Sequence, residues 1–557
     1  MTCSYCGQEN QPGVRFCSRC GAQFPSTPAP QAQPPYIPAD ESRPDRTAGG
    51  APGKLKSPLM KKILMIAIPV IVIVIAAIIV IPLATGGSGN AMRKDHIQLF
   101  FEGEDLIIIS GNNNAKFTID GEFYSMQRSI DGSKAALLTD FDYDNDNGGT
   151  LWFVTTSGVY HVADDVMACL LADSGNGLVY ASEFDREYSA ASLYLYDTSS
   201  RKAARVTDDA YFSLYNYRHG VCISPNGKSI SFISDYNDED DSFYGYMSID
   251  GKSPERIGSN MFAVALSDGG RYLYYAKESD SGNHSLHVRS GRNDYRLVSE
   301  VSGGSMSLNM DYSQAVFNDG DRSYITRNGG EKERISGSYI RSFIFPRGTQ
   351  MGGNHDFFTV YGIRSFLNNV VRNEDGLAYL SNSLDMTRIS STSQYASSAF
   401  ISDNGRTLLY LNNSGHLSAI DPTKPGAERR EIGRNVENFI ATNDTSVIYF
   451  VNEDDELYYV KGDNAPVKVA DDVYANSLRM PFYSKMAFFL VDYSPRDSSG
   501  ELFYSNNGAR RAKVERGNDI TSLWVTPTNV FFENIDDEVY RSNGNEVFIK
   551  FAEDVTR

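Results

Sequence analysis

"SPNGKSISFISD" (Ser224–Asp235) is a turn followed by an alternating apolar strand, and the chain repeats the phrase with small changes. "LSDGGRYLYYAK" (Leu266–Lys277), "ISDNGRTLLYLN" (Ile401–Asn412) and "SIDGSKAALLTD" (Ser129–Asp140) each set an Asx-Gly pair or its equivalent ahead of an apolar run. Asx side chains support turn geometry and Gly adopts positive φ at no steric cost, so each phrase reads as a tight connection between strands. Turn landmarks of this kind fall near Asp131, Gly175, Asn226, Asp268, Asp311, His355, Asn404, Asn443, Ser484 and Pro527. Their spacing of roughly forty to fifty residues, with about four strands per period, is that of β-propeller blades.

Around the turns the order of elements recurs. An apolar strand, the Asx-Gly turn and an alternating strand lead to an acidic loop, an "LYxY"-like strand and a final "R-I/V/L" ending. "SLYLYD" (Ser192–Asp197), "SVIYFVN" (Ser446–Asn452) and "ELYYVKG" (Glu456–Gly462) are the aromatic, β-branched strands expected of a sheet protein. No amphipathic stretch past residue 95 is long enough for a helix. The fold expected from residue 95 to residue 557 is therefore mainly β, a β-propeller of about ten four-stranded units. The count leaves open one large ring or two propellers in series, with a seam near residues 339–393 in the second case, and the pair of propellers is the arrangement favoured. Residues 95–120 are expected to supply strands that close the array with the carboxyl end.

"SPNGKSISFISD" followed by "YGYMSIDGKSPERIG" (Tyr244–Gly258) resembles the TolB-type propeller repeat, which also builds the propellers of prolyl oligopeptidases. The likeness is good at residues 129–300 and 398–435 and weaker near 339–393 and after 474. It implies a binding scaffold whose function is set by its loops.

The amino-terminal part reads differently. "CSYCGQENQPGVRFCSRCG" (Cys3–Gly21) holds two C-x-x-C-G knuckles, and the thiolates of Cys3, Cys6, Cys17 and Cys20 make the closed tetrahedral shell that structural Zn²⁺ prefers. Residues 1–24 resemble the short zinc ribbons at the amino terminus of many bacterial membrane proteins, which implies a small module for protein contact with no catalysis. Residues 25–60 are rich in Pro, Ala and Gly and read as an extended, disordered linker. Within 61–84 the uncharged run Ile63–Ala84 is long enough to cross a hydrocarbon core of about 30 Å. Lys54, Lys56, Lys61 and Lys62 precede it, so a signal-anchor helix with a cytoplasmic amino terminus and an extracytoplasmic carboxyl-terminal domain is expected.

Of the 52 Lys and Arg and 70 Asp and Glu, the segment before Ile63 holds a basic excess, so the acidity belongs to the carboxyl-terminal domain. A domain this acidic repels nucleic acid and anionic headgroups. Chemistry-bearing constellations are sparse. No G-x-S-x-G elbow occurs, and His96, His161, His219, His284, His287, His355 and His416 are scattered. His284 and His287, three apart in a strand, should face opposite ways and make a poor metal pair. Asp142, Asp144 and Asp146 alternate as in a calcium loop, but Gly148 comes one position late and Phe153 stands where a bidentate Glu belongs, so Ca²⁺ fits poorly and solvated hairpin tips are expected there and at Asp235–Asp241. Cys169 and Cys222 occupy similar strand positions in successive units, and two separately buried thiols are favoured over a disulfide.

The function expected from these features is a membrane-anchored sensor or scaffold with no enzymatic activity. Its outer propeller would bind an envelope protein or glycan, and its ribbon a cytoplasmic protein. The alternative is a propeller hydrolase or lyase acting on envelope polysaccharide.

Overall fold

The computed structural model describes residues 97–556 apart from 103–104, 111–112, 143–147, 212–220, 240–241, 279–283, 301–304, 345–361, 366–369, 391–398, 543–547 and the single positions 120, 238, 310, 338, 382, 425, 483, 527 and 554. The ribbon with its four cysteines, the linker and the apolar run Ile63–Ala84 all lie outside the described residues. Among the described residues no helix is long and apolar enough to cross a membrane. The short 3-10 segments Asp268–Gly270 and Ala475–Ser477 are the helical turns among the described residues.

The protein is otherwise a succession of antiparallel ladders. Hydrogen bonding defines eight sheets among the described residues, most of them four-stranded. The largest is a run of three units, because two long strands each serve a pair of neighbours. Gly158–Leu171 pairs through its first half with Gly149–Thr155 and through its second half with Gly177–Asp185. Asp165, at φ 55°, sits where it changes partner. Lys202–Tyr211 does the same between Ala190–Asp197 and Ile230–Asn237. The seven-stranded sheet is likewise two units joined at Gly500 and Ile520. The array thus has about eleven units where the sequence suggests about ten, in keeping with a repeat architecture. The additional one comprises Ile97–Glu102, Asp105–Ser110 and Asn113–Thr118, completed by the last strand, Val555–Thr556, which pairs antiparallel with Ile97–Glu102.

Three of the four recurring phrases fold into the same turn. Ser224 Oγ donates to Asn226 Oδ1 (2.8 Å), which also accepts from Lys228 N (3.0 Å), while Ser229 N donates to Ser224 Oγ (3.0 Å). Two backbone bonds, Ser224 N to Ser229 O and Gly227 N to Ser224 O (both 2.8 Å), shut the loop. Ser129 with Asp131, Ser402 with Asn404 and Thr442 with Asp444 repeat the arrangement. Gly227 meets two requirements at once. It adopts φ +76°, and a Cβ there would lie 2.3 Å from Gly177 N of the neighbouring turn.

The strand after the turn is buried on both faces, as stacking of neighbouring units requires. Ser229, Ile230, Ser231, Phe232, Ile233 and Ser234 are all buried, so both faces are covered. The alternation in residue type survives because the serines find partners: Ser231 Oγ donates to Tyr246 O (2.7 Å), and Ser234 Oγ to Asp209 O. Outermost strands stay wet, as Glu255–Ser259 shows, and these carry the "R-I/V/L" endings.

Apolar clusters stitch each unit to the next. Ala136, Leu138 and Phe153 pack with Leu171, Leu178 and Tyr180; further on, Leu409, Leu417 and Ile432 pack with Ile448, Phe450 and Val460. At the start of the suggested seam, Val316, Ile325 and Ile335 share a cluster with Ile340, Phe343 and Val371. The last unit also packs on the first, through Phe531, Val539 and Trp524 against Phe100 and Ile107, with the Phe100 and Phe531 rings 5.0 Å apart. No sheet closes on itself as a barrel; each is an open ladder covered by its neighbours.

Replacing Ser224 by Ala removes both side-chain bonds of its turn, so Ser224→Ala should destabilise the domain by about 1–3 kcal/mol in urea unfolding. Ser224→Thr, which keeps the hydroxyl, should recover most of that loss.

Candidate functional site

The turns that join first and second strands bring carboxylates from several units together. In the units spanning 166–334 these are Ala172–Asn176, Ser224–Lys228, Ser267–Arg271 and Asn309–Ser313. Ser174 N donates to Pro225 O (3.0 Å), and Asn226 N donates to Asp268 Oδ1 (2.8 Å). Tyr312 Oη reaches Asp173 Oδ2 (3.3 Å), bridging units well apart in sequence. Asp311 is held in its own turn, accepting from Ser313 N (3.1 Å) and Ser313 Oγ (2.7 Å).

Asp268 is the strained member. Partial burial of its carboxyl pushes its pKa above the ordinary carboxylate range, and the like charges of Asp173, Asp311 and Asp250 push the same way. The hydrogen bond from Asn226 N opposes them. The group can accept hydrogen bonds from hydroxyl or amino groups. Among the described residues no cluster of three or more His, Cys, Asp and Glu is placed to hold a metal ion.

The other sequence candidates separate. His284 and His287 do face opposite ways. His284 lies edge-on to Phe262 (ring centroids 5.5 Å) with Nε2 3.9 Å from Glu278 Oε2. His287 stacks on Tyr275 (5.1 Å) near Asp294, and burial lowers its pKa. His161 pairs with Asp164 (2.9 Å) and His416 with Glu431 (3.1 Å). His96, His219 and His355 lie outside the described residues.

Cys169 and Cys222 are both free and buried, as the sequence favours. Burial pushes the Cys169 thiol up to about 12, and Cys222 Sγ donates to Ala263 O (3.3 Å). Of the loop Asp140–Gly149, residues 143–147 lie outside the described residues, which include Asp144 and Asp146. Asp140 Oδ1 accepts from Glu122 N (2.8 Å), and Asp235 Oδ2 accepts from Tyr246 Oη; both are hairpin roles.

Sequence reading passes over a second clasp, in the hairpin between second and third strands. Asn452 Oδ1 accepts from Asp454 N (3.2 Å) and Glu456 N (2.9 Å), Asn452 Nδ2 donates to Glu456 Oε2 (3.1 Å), and Tyr458 Oη donates to the same oxygen (2.7 Å). Asn534, Asp536, Glu538 and Tyr540 reproduce it. The signal is the near-identity of "NEDDELY" (Asn452–Tyr458) and "NIDDEVY" (Asn534–Tyr540).

Comparison with known proteins bears on both ends of the chain. The family model of a zinc-ribbon domain matches residues 2–24, which include Cys3, Cys6, Cys17 and Cys20. No curated protein matches the sequence. Among solved structures the chain is similar to a eukaryotic initiation factor, at 12% identity and TM-score 0.39, over 67% of this chain and 95% of that one. It is similar to the β-propeller domain of the Trilobed protease from Pyrococcus furiosus, at 9% identity and TM-score 0.28, over 63% of this chain and 96% of that one. It is also similar to TolB from Acinetobacter baumannii, at 17% identity and TM-score 0.26, over 42% of this chain and 61% of that one. Among the described residues the fold is mainly β, a succession of antiparallel ladders.

Two outcomes are expected. With its folded-state pKa above the ordinary Asp value, Asp268 makes the folded state bind more protons than the unfolded state between the two values, so stability falls as pH rises through that window. Asp268→Asn, whose amide oxygen still accepts from Asn226 N, should raise the unfolding midpoint at pH 7, with the gain vanishing below about pH 3. Iodoacetamide followed by peptide mapping should leave Cys169 and Cys222 unlabelled in the native protein and label both after denaturation.

Proposed function

We propose that the chain is a membrane-anchored binding or scaffold protein whose propeller-like domain takes an envelope protein or glycan on its loops, while its zinc ribbon docks a cytoplasmic protein. The observation that carries this reading is the pairing of Val555–Thr556 with Ile97–Glu102. It fastens the carboxyl end into the first sheet, only a dozen residues after the apolar run Ile63–Ala84 ends. A domain whose two chain ends meet in one sheet leaves its other loops free for a partner. We take the eleven units as one uninterrupted array, supported by the apolar cluster across residue 340 and by the packing of Phe531 on Phe100.

The four cysteines supply the donor set of structural Zn²⁺, four thiolates in two knuckles with Gly7 and Gly21 behind them. A metal held so would fix the fold of a short segment and leave no coordination position for chemistry. The domain's acid content, with carboxylates engaged in turn hydrogen bonds, supports recognition of hydroxyl and amide groups over catalysis.

The full-length protein purified in detergent should carry one Zn²⁺ per chain, lost in Cys17→Ser, and protease added to intact cells should digest the domain after residue 95. Protection of that domain from external protease, or zinc content unchanged in Cys17→Ser, would overturn the reading.

A further inference from the structure

Arg372 is out of place in the domain's interior. It lies in the strand Val370–Asn373, only 5% exposed, and its Nε, Nη1 and Nη2 are all buried without a hydrogen-bond partner among the described residues. Alternation along the strand sets Arg372 on the face of Val370, and its cross-strand neighbour is Leu377. Val370 and Leu377 both belong to the apolar cluster that joins this unit to the next, with Ile401, Leu408 and Tyr410. The guanidinium therefore belongs to the layer between the units spanning 340–390 and 399–433.

That layer gathers donors. Tyr410 Oη, in the same cluster, is buried beside Ser418 and donates to no group among the described residues; burial raises its pKa. Arg429 reaches in with Nη2 on Ile389 O (2.5 Å). Two acidic side chains of the adjoining hairpins are engaged elsewhere. Glu374 faces Arg341 at 3.8 Å, and Asp385 accepts from Ser336 Oγ and Ser383 Oγ.

A guanidinium cannot shed its proton near neutrality, and a bare buried charge costs far more than the surrounding apolar contacts return. The planar fork, with a second donor from a phenol, matches an acceptor that carries two or more oxygens. We propose that Arg372 anchors an oxyanion subsite in the layer between these two units, taking a carboxylate or phosphate group, with Tyr410 as its second donor. The subsite adds an electrostatic link between the facing sheets to their apolar contacts, and it gives an acidic domain a place for an anionic group of a ligand. It does not depend on the membrane topology proposed above.

The test is equilibrium dialysis of the full-length protein in detergent against radiolabelled inorganic phosphate and, separately, acetate. One saturable site per chain for either probe is expected, weakened at least tenfold in Arg372→Met and several-fold in Tyr410→Phe. Preference for phosphate or for acetate tells which class of oxyanion the site takes. Without either anion, Arg372→Met should unfold at the same or a higher temperature than the parent, since it removes an unpaired buried charge. Absence of saturable binding of both probes overturns the proposal, as does equal binding by Arg372→Met. A large fall in the unfolding temperature of Arg372→Met in anion-free buffer also overturns it, because Arg372 would then be paired within the protein. Should Arg372→Met not fold, Arg372→Gln takes its place in the dialysis, and parental affinity there is equally fatal.

Discussion

The hydroxyl-to-Asx clasp that recurs at the first turn of four units is the constraint from which the rest of the domain follows. In Ser224, Asn226 and Ser229 a side-chain hydroxyl, a side-chain oxygen and two backbone N–H groups satisfy one another within six residues. The turn therefore needs no water and no distant partner, and it can sit against its neighbour, as Gly227 sits against Gly177. It also fixes the register of the two innermost strands. A one-residue slip there would exchange the faces of every side chain that follows. Because both faces of strands such as Ile230–Asn237 are buried, such a slip would set Ser231 and Ser234 against the wrong carbonyls.

Register fixed at the centre lets the units stack without a continuous sheet. Each ladder is covered on both sides by apolar residues of its neighbours, and the outer strands can then be short and polar. Where the clasp is altered, other devices hold the turn. Asn309 Oδ1 takes the place of a hydroxyl by accepting from Gln314 N (2.8 Å), and Tyr312 in that turn reaches across to Asp173. The long strands Gly158–Leu171 and Lys202–Tyr211 remove the connecting loop between units altogether, which is why hydrogen bonding merges three of them.

Much of this architecture was legible because its turns are local. Ser, Asx and Gly at fixed offsets make a six-residue signal, and counting them finds the period. The count fell short by one since the unit at 97–118 borrows its innermost strand from residues 555–556, and no local phrase marks that junction. The burial of both strand faces is less local. Alternation of Ser and Ile reports residue type, while burial is decided by a neighbour forty residues away. The separation of Cys169 from Cys222 and the opposed faces of His284 and His287 were readable from strand geometry alone. The Asn–Glu–Tyr clasp was equally local, yet its acidic letters blend into an acidic background. Arg372 was illegible: nothing in "VVRNEDG" separates a buried Arg from one on a wet outer strand.

The clasp also limits where function can sit. An abundance of Asp and Asn invites the idea of many ligand-binding groups, but the turn consumes most of them. Asp131, Asn226, Asn404 and Asp444 each spend an oxygen on their own backbone, so replacing one costs stability before it affects binding. Asp173 and Asp268 differ, since their carboxylates serve neighbouring turns and not their own. Any recognition on this face must compete with those contacts. A partner that displaced Tyr312 from Asp173 would loosen the link between units distant in sequence, whereas one that bound the outer loops would leave it intact. Binding at the inner turns and rigidity of the array are therefore opposed, and the loops farther from the clasps are where a ligand can be held without disturbing the sheets.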